Sequence, residues 1–316
     1  MGYGNYSYEA HRDLVEDRKS TGQVAFTEQR LHPLMDPHGV RVRESRDSPD
    51  HPETLSLVFA LDVTGSMGHI PRLLSQEHLP GFMKLLYDCG VPDPQLLFMA
   101  VGDAVSDQAP LQVGQFESTG ELIDQWLTRT WLEGRGGGTN EESYELAMYF
   151  LAQHTELDCM VKRGKKGYLF MTGDENPYEV LSRHLVERWV GDRLDADLPT
   201  EAIVAELQKS YVPFFIVPDP QRLGSCEVAW RRLLGDHLIC LRNVEDICHV
   251  AAGLILLNER RVEKLEDLRE IFLKAGLSSE RVPRVLHTLA PFATTLGMGP
   301  PSVLKQIGNL VTGLLG

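Results

Sequence analysis

Apolar residues along this chain fall into short dense runs separated by amphipathic segments. Residues 55–61 are apolar at every position but Ser56, which suits a strand buried on both faces of a parallel sheet better than a half-exposed one. Similar runs at 95–104, 166–175, 212–218 and 237–242 predict four more strands, and the shorter run 111–116, after the turn at Pro110, predicts an edge strand pairing antiparallel. Between the runs, apolar positions recur at helical spacing. Residues 70–89 carry Leu73, Leu74, Leu79, Phe82, Met83, Leu85 and Leu86, with Pro80 and Gly81 expected to break the helix in two. Further helices are predicted over 120–132, from Tyr144 to Leu151, and over 178–190, 200–211, 229–234 and 246–257. Strands alternating with helices predict an α/β fold: a doubly wound, mostly parallel sheet flanked by helices. This pattern spans residues 54–258. Residues 1–53 form a polar N-terminal arm, with Tyr3, Tyr6 and Tyr8 placed to pack onto the main body and a mobile tail as the competing reading. Residues 259–316 turn purely helical and form a C-terminal helical extension too short to hold much core alone.

Charge changes the picture in the middle of the chain. Of a formal net charge of −14, residues 54–258 carry −13, so the central domain attracts cations and repels phosphate backbones. Nucleic acid is therefore not an expected partner. No apolar stretch is long enough to cross a bilayer, and the first residues lack the basic and apolar regions of a signal peptide, so a cytoplasmic protein with no membrane contact is expected. The five cysteines, Cys89, Cys159, Cys226, Cys240 and Cys248, include no CxxC pair and are expected to be buried, reduced thiols.

The chemistry begins where the first strand ends. Asp62, Thr64 and Ser66 follow the apolar run at alternate positions, with Gly65 and Gly68 loosening the backbone. A serine nucleophile elbow would need glycine where Thr64 stands, a phosphate-binding loop would need a lysine after its glycines, and an aspartyl phosphotransferase of the haloacid dehalogenase type would need a second aspartate at position 64. What remains is a Mg2+ or Mn2+ site built of carboxylate and hydroxyl oxygens at the carboxyl edge of the sheet. The plainer alternative is that Asp62 caps a helix while Thr64 and Ser66 bond nearby amides.

Two later loops resemble the first in position. Gly134, Gly136, Gly137 and Gly138 precede Thr139 and Asn140, either of which is placed to cap the next helix, and Thr139 is a candidate for delivery into a site. The third buried run ends in Gly173, Asp174 and Glu175, again a carboxylate at the carboxyl end of a strand.

Asp62, Thr64 and Ser66, then Thr139 on a glycine-rich loop, then Asp174 after a further strand: this order resembles the von Willebrand factor A domain with its metal-ion-dependent adhesion site. The resemblance covers roughly residues 54–258. Thr64 stands for the family's first serine and keeps the hydroxyl. After the fourth strand the family usually has Thr-Asp-Gly, whereas this chain has Thr172-Gly173-Asp174, which moves the carboxylate by one position and leaves Glu175 as a substitute. The resemblance implies a divalent cation, Mg2+ by default, held by Asp62, Ser66 and Thr139, with Asp174 joining directly or through water and Thr64 orienting the shell. It implies a protein-interaction module rather than an enzyme, with a partner that supplies an acidic side chain to the cation. It also permits work beside an AAA+ ATPase in an intracellular assembly. The runner-up is a metal-dependent hydrolase or phosphotransferase using Asp62, whose phosphate would have to be held by Arg135 or by the basic run 162–166.

Overall fold

The computed structural model describes residues 6–20, 26–68, 70, 79–134 and 140–299, apart from the side chains of Lys19 and Ser66. Its strands, in chain order, are β1 (Arg43–Ser45), β2 (Leu55–Asp62), β3 (Pro94–Val101), β4 (Leu111–Val113), β5 (Glu141–Glu142), β6 (Thr155–Leu157), β7 (Gly167–Thr172), β8 (Asn176–Pro177), β9 (Val180–Leu181), β10 (Leu198–Pro199), β11 (Tyr211–Val217) and β12 (Leu238–Cys240). Its helices are α1 (Tyr8–Ser20), α2 (Leu79–Asp88), α3 (Gly120–Thr128), α4 (Tyr144–Gln153), α5 (Asp158–Arg163), α6 (Arg183–Trp189), α7 (Thr200–Leu207), α8 (Pro220–Leu234), α9 (Ile247–Asn258), α10 (Asp267–Lys274) and α11 (Val282–Thr295).

Six strands form the main sheet in the order β12-β11-β7-β2-β3-β4, all parallel except β4, which pairs antiparallel with β3 as the sequence predicts. β2 lies inside, with Leu57 level with both Leu96 and Tyr168. Because successive residues of a strand face opposite ways, each strand feeds two cores. Leu57, Phe59 and Leu61 face the side covered by α2, α9 and α11. Val58 and Ala60 face the side covered by α4, α7 and α8. The arrangement is the expected doubly wound α/β fold, with helices on both faces of a mostly parallel sheet.

Several local expectations need correcting. The polar arm contains helix α1, which packs on α2 and α3, and Tyr6 stacks on Tyr87 at 5.5 Å. Tyr3 lies outside the described residues. Downstream, β1 adds a parallel pair to β6. The helix expected over 178–190 starts only at Arg183, after Val180–Leu181 pairs antiparallel with Leu198–Pro199. The one expected over 200–211 ends at Leu207, and Tyr211 already belongs to β11. α8 begins nine residues before the expected Ala229, because Asp219 caps it by accepting from the Gln221 amide and Pro220 fits the first turn. Pro80 sits in the first turn of α2, which starts at Leu79; residues 71–78, over which the earlier part of the expected helix falls, lie outside the described residues.

Beyond β12 the chain stays on the body. α9 is buried along nearly its whole length, and Asp246 at its start accepts hydrogen bonds from Arg281 and Arg284. Phe292 of α11 meets Phe214 of β11 edge to face at 5.1 Å. All five cysteines are free; Cys159, Cys226 and Cys248 are buried, and Cys89 and Cys240 are half-buried. Among the described residues no helix is long and apolar enough to cross a membrane.

Candidate metal centre

Asp62 is the last residue of β2, and the alternation of the strand turns it toward α4. It is 0% exposed. Its Oδ1 accepts from the Thr64 amide at 2.9 Å and from Thr64 Oγ1 at 2.5 Å; its Oδ2 accepts from Tyr144 Oη at 2.7 Å. Burial pushes the Asp62 carboxyl up to about 7, against the stabilising bonds from Thr64 and Tyr144, and the charge of Asp174 adds to the rise. Thr64 is extended (φ −70°, ψ 166°) and leads into one tight turn, Gly65–Met67, closed by the Met67 amide on the Thr64 carbonyl.

Tyr144 reaches Asp62 by crossing the backbone at Gly173. A β-carbon there would lie 1.9 Å from the tyrosine hydroxyl, so no larger residue fits without moving the ring. This gives the exchanged Gly and Asp a physical reason: position 173 is the floor under Tyr144, and the carboxylate falls on the next residue. Asp174 then points toward α8, where Arg222 Nη1 lies 2.6 Å from its Oδ2. Its carbonyl accepts from Ser225 Oγ at 2.8 Å, and the Glu175 carbonyl accepts from Trp230 Nε1 at 2.9 Å.

The pairing of β5 with β8 sets Glu141 beside Asn176 and Glu142 beside Pro177, which joins the two later loops. Glu142 is 2% exposed. Burial first, then the charges of Asp62 and Glu175, raise its carboxyl well above the ordinary range; Glu175 is raised too, chiefly by burial. The two carboxyls hydrogen-bond to each other, and the Oε2 atom of each is buried. Asp103, at the end of the neighbouring strand, accepts from the Val105 amide, Ser106 Oγ and Tyr178 Oη within its own surroundings.

Of the five site residues predicted from sequence, Asp62 and Thr64 are in direct contact, and Asp174 is near enough for its charge to act on Asp62. Thr139 lies outside the described residues, and of Ser66 only the backbone, in its tight turn, is described. The expected cap at Thr139 or Asn140 is replaced: the helix begins at Tyr144 after Ser143, whose Oγ accepts from the Ala104 amide. Three residues escaped the sequence reading. Tyr144 looked like one apolar position of α4, Glu142 was not singled out, and Arg222 lay before the expected start of its helix.

The donor chemistry fits a hard divalent cation: oxygen atoms only, from the carboxyls of Asp62, Glu142 and Glu175 and the Thr64 hydroxyl near one edge of the sheet. Among the described residues no three His, Cys, Asp or Glu side chains are grouped as a cage, so hydroxyls and water would have to complete a shell. The fit differs from expectation at Asp174, whose carboxylate is already held by Arg222.

No protein-family model matches the chain, and no curated protein matches it. Solved structures do. The pilus adhesin SpaC from Lactobacillus rhamnosus GG, in its open conformation, is 11% identical over 69% of this chain and 31% of its own, with a TM-score of 0.44. This chain thus spans about a third of the adhesin's length. The vWF domain of the type V pili tip protein Mfa5 from Porphyromonas gingivalis is 12% identical over 66% of this chain and 95% of its own, at 0.40. A von Willebrand factor type A structure from Catenulispora acidiphila is 10% identical over 67% and 42%, at 0.34. The structural neighbours of this chain thus include von Willebrand factor A domains.

Proposed function

We propose that this chain is a protein-interaction module whose contact with its partner depends on a divalent cation, Mg2+ by default, at the carboxyl edge of the sheet. Asp62 and Thr64 would hold it, with Ser66 and Thr139 as further hydroxyl ligands. The observation that carries the reading is the gathering of carboxyls near the ends of β2 and β7, where burial raises Asp62, Glu142 and Glu175 together and no basic side chain is among the causes acting on them. When bound, the cation supplies an acceptor position for a partner's carboxylate in an otherwise acidic domain. The chain's own residues do the rest: Tyr144 and the Thr64 amide hold the Asp62 carboxylate in one orientation, and the tie from Ser225 to the Asp174 carbonyl fixes the facing loop.

The hydrolase reading is weaker on geometry. As a nucleophile Asp62 would have to reach substrate itself, whereas it is fully buried with both oxygens hydrogen-bonded; as a metal ligand it would serve either reading. In the basic run, Lys162 and Arg163 pair with Asp47, and Lys165 pairs with Glu259. Arg135 lies outside the described residues.

Calorimetric titration of the full chain with Mg2+ and Mn2+, before and after Asp62→Ala, tests the proposal. Binding by the parent and none by the variant is the expected result; equal binding by both removes Asp62 from the site.

A further inference from the structure

We infer that Arg222 is an internal competitor for the cation: it holds the Asp174 carboxylate until a cation takes that carboxylate, and so sets the affinity of the site. The inference rests on the cation-dependent reading above.

Arg222 lies in the first turn of α8 and bridges two carboxylates, with Nη1 2.6 Å from Asp174 Oδ2 and Nε 2.9 Å from Asp219 Oδ2. These two acids are held differently. Asp219 also accepts from the Gln221 amide at 2.9 Å, so it is committed to capping α8 whether or not the arginine stays. Asp174 belongs to the loop that carries the acidic edge, close enough for its charge to act on Asp62.

Two features make exchange at Asp174 physically simple. Its backbone is fastened independently of its side chain, through Ser225 Oγ on its own carbonyl and Trp230 Nε1 on that of Glu175, so the carboxylate can change partners without the loop moving. The guanidinium also stands on the solvent side of the pair, with the arginine side chain 31% exposed against 10% for the aspartate. It can turn outward while Nε keeps Asp219. A guanidinium stays protonated at any pH a protein survives, so its hold on Asp174 does not switch off. A cation recruiting Asp174 must displace it.

The test is a double-mutant cycle read by calorimetry on the full chain, titrating Mn2+ and Mg2+ into the parent, Arg222→Ala, Asp174→Asn and the double variant. Competition predicts that Arg222→Ala binds about tenfold tighter or more than the parent, and that the same change made on Asp174→Asn gains less than about twofold. Arg222→Gln, which keeps much of the stem and loses the charge, serves the same comparison if the alanine variant does not fold. Affinity in Arg222→Ala equal to or below the parent's overturns the inference and leaves the cation reading standing. So does a gain that persists undiminished on Asp174→Asn, since it would reflect only the loss of a nearby positive charge. No binding by the parent or by either arginine variant overturns the cation reading and this inference with it.

Discussion

At the amino end of the central strands, Asp47, Asp158, Glu44 and Glu156 meet Arg46, Lys162 and Arg163; at the carboxyl end, Asp62 meets the Thr64 amide and the Thr64 and Tyr144 hydroxyls, and Glu142 meets Glu175. Both groups are acidic, and each contains carboxyls well covered by the fold, Asp47 and Asp158 in the first and Asp62 and Glu142 in the second. Burial alone would raise Asp47, but hydrogen bonds from Arg163, Thr54 and Lys162 hold it well below the usual carboxylate range. Lys162 and Arg46 do the same for Asp158. At the other end burial prevails, and Asp62, Glu142 and Glu175 all shift upward. The first cluster is a fastening, sewing the arm to α5 with each of its acids paired to a basic side chain. The second is met differently: burial holds its carboxyls toward their protonated form, and Glu142 and Glu175 share a hydrogen bond.

The contrast can be strained hardest at Gly173. Gly173→Ala would drive a methyl group into the Tyr144 hydroxyl and push it off Asp62, with an expected loss of about 3 kcal/mol, the upper end of overpacking costs. Urea denaturation reads it, and Tyr144→Phe in the same background should recover part of the loss. A Gly173→Ala protein as stable as the parent would mean that the tyrosine is not held over that residue.

Next comes pH, where the two ends pull in opposite directions. A carboxyl raised by folding contributes stability that is present below its unfolded value and lost as pH climbs through the folded one. For Asp62 that window runs from about 4 to about 7. Asp47 and Asp158, lowered by folding, contribute stability that is present above about 4 and lost only in stronger acid. In EDTA the chain should therefore lose about 2 kcal/mol between pH 5 and pH 8, and Asp62→Asn should flatten much of that slope. A parent equally stable at both values would show that the carboxyl edge carries no excess charge.

The same conservative change at each end should then give opposite signs. Asp47→Asn removes the charge that Lys162 and Arg163 both face, and should cost about 2 kcal/mol. Asp62→Asn at pH 8 in EDTA should stabilise by about 1 kcal/mol, because it relieves a buried charge while keeping an acceptor for Thr64. Matching losses from thermal denaturation of the two variants would erase the distinction.

Much of this fold was legible in the apolar pattern, because a strand buried on both faces leaves little room for any other reading. The antiparallel edge strand was legible too, from the short amphipathic run after Pro110. What escaped was the short, the polar and the long-range. Helix α1 is polar over most of its length, and its docking rests on a few groups such as Tyr6 and His11 that carry no helical period. The β5–β8 pair is two residues long on each side, below anything periodicity detects. Asp62 and Thr64 could be found because their chemistry is local to one loop. Arg222 could not, since its meaning depends on an acid 48 residues away.

Phe214 and Phe292 also bear on how the chain is made. The outer face of β11 is closed only when α11 lies across it, with Phe292 against both Phe214 and His237. Inside the sheet, β2 must wait for β7, more than a hundred residues later, before its second edge is paired. A polypeptide leaving the ribosome thus carries an open apolar strand edge through the synthesis of its middle, and an uncovered aromatic face until almost the last described helix has emerged. Such order-dependent closure makes for slow folding and exposes sticky intermediates. The chain's dependence on a chaperone during translation should fall most steeply once the segment bearing Phe292 is out.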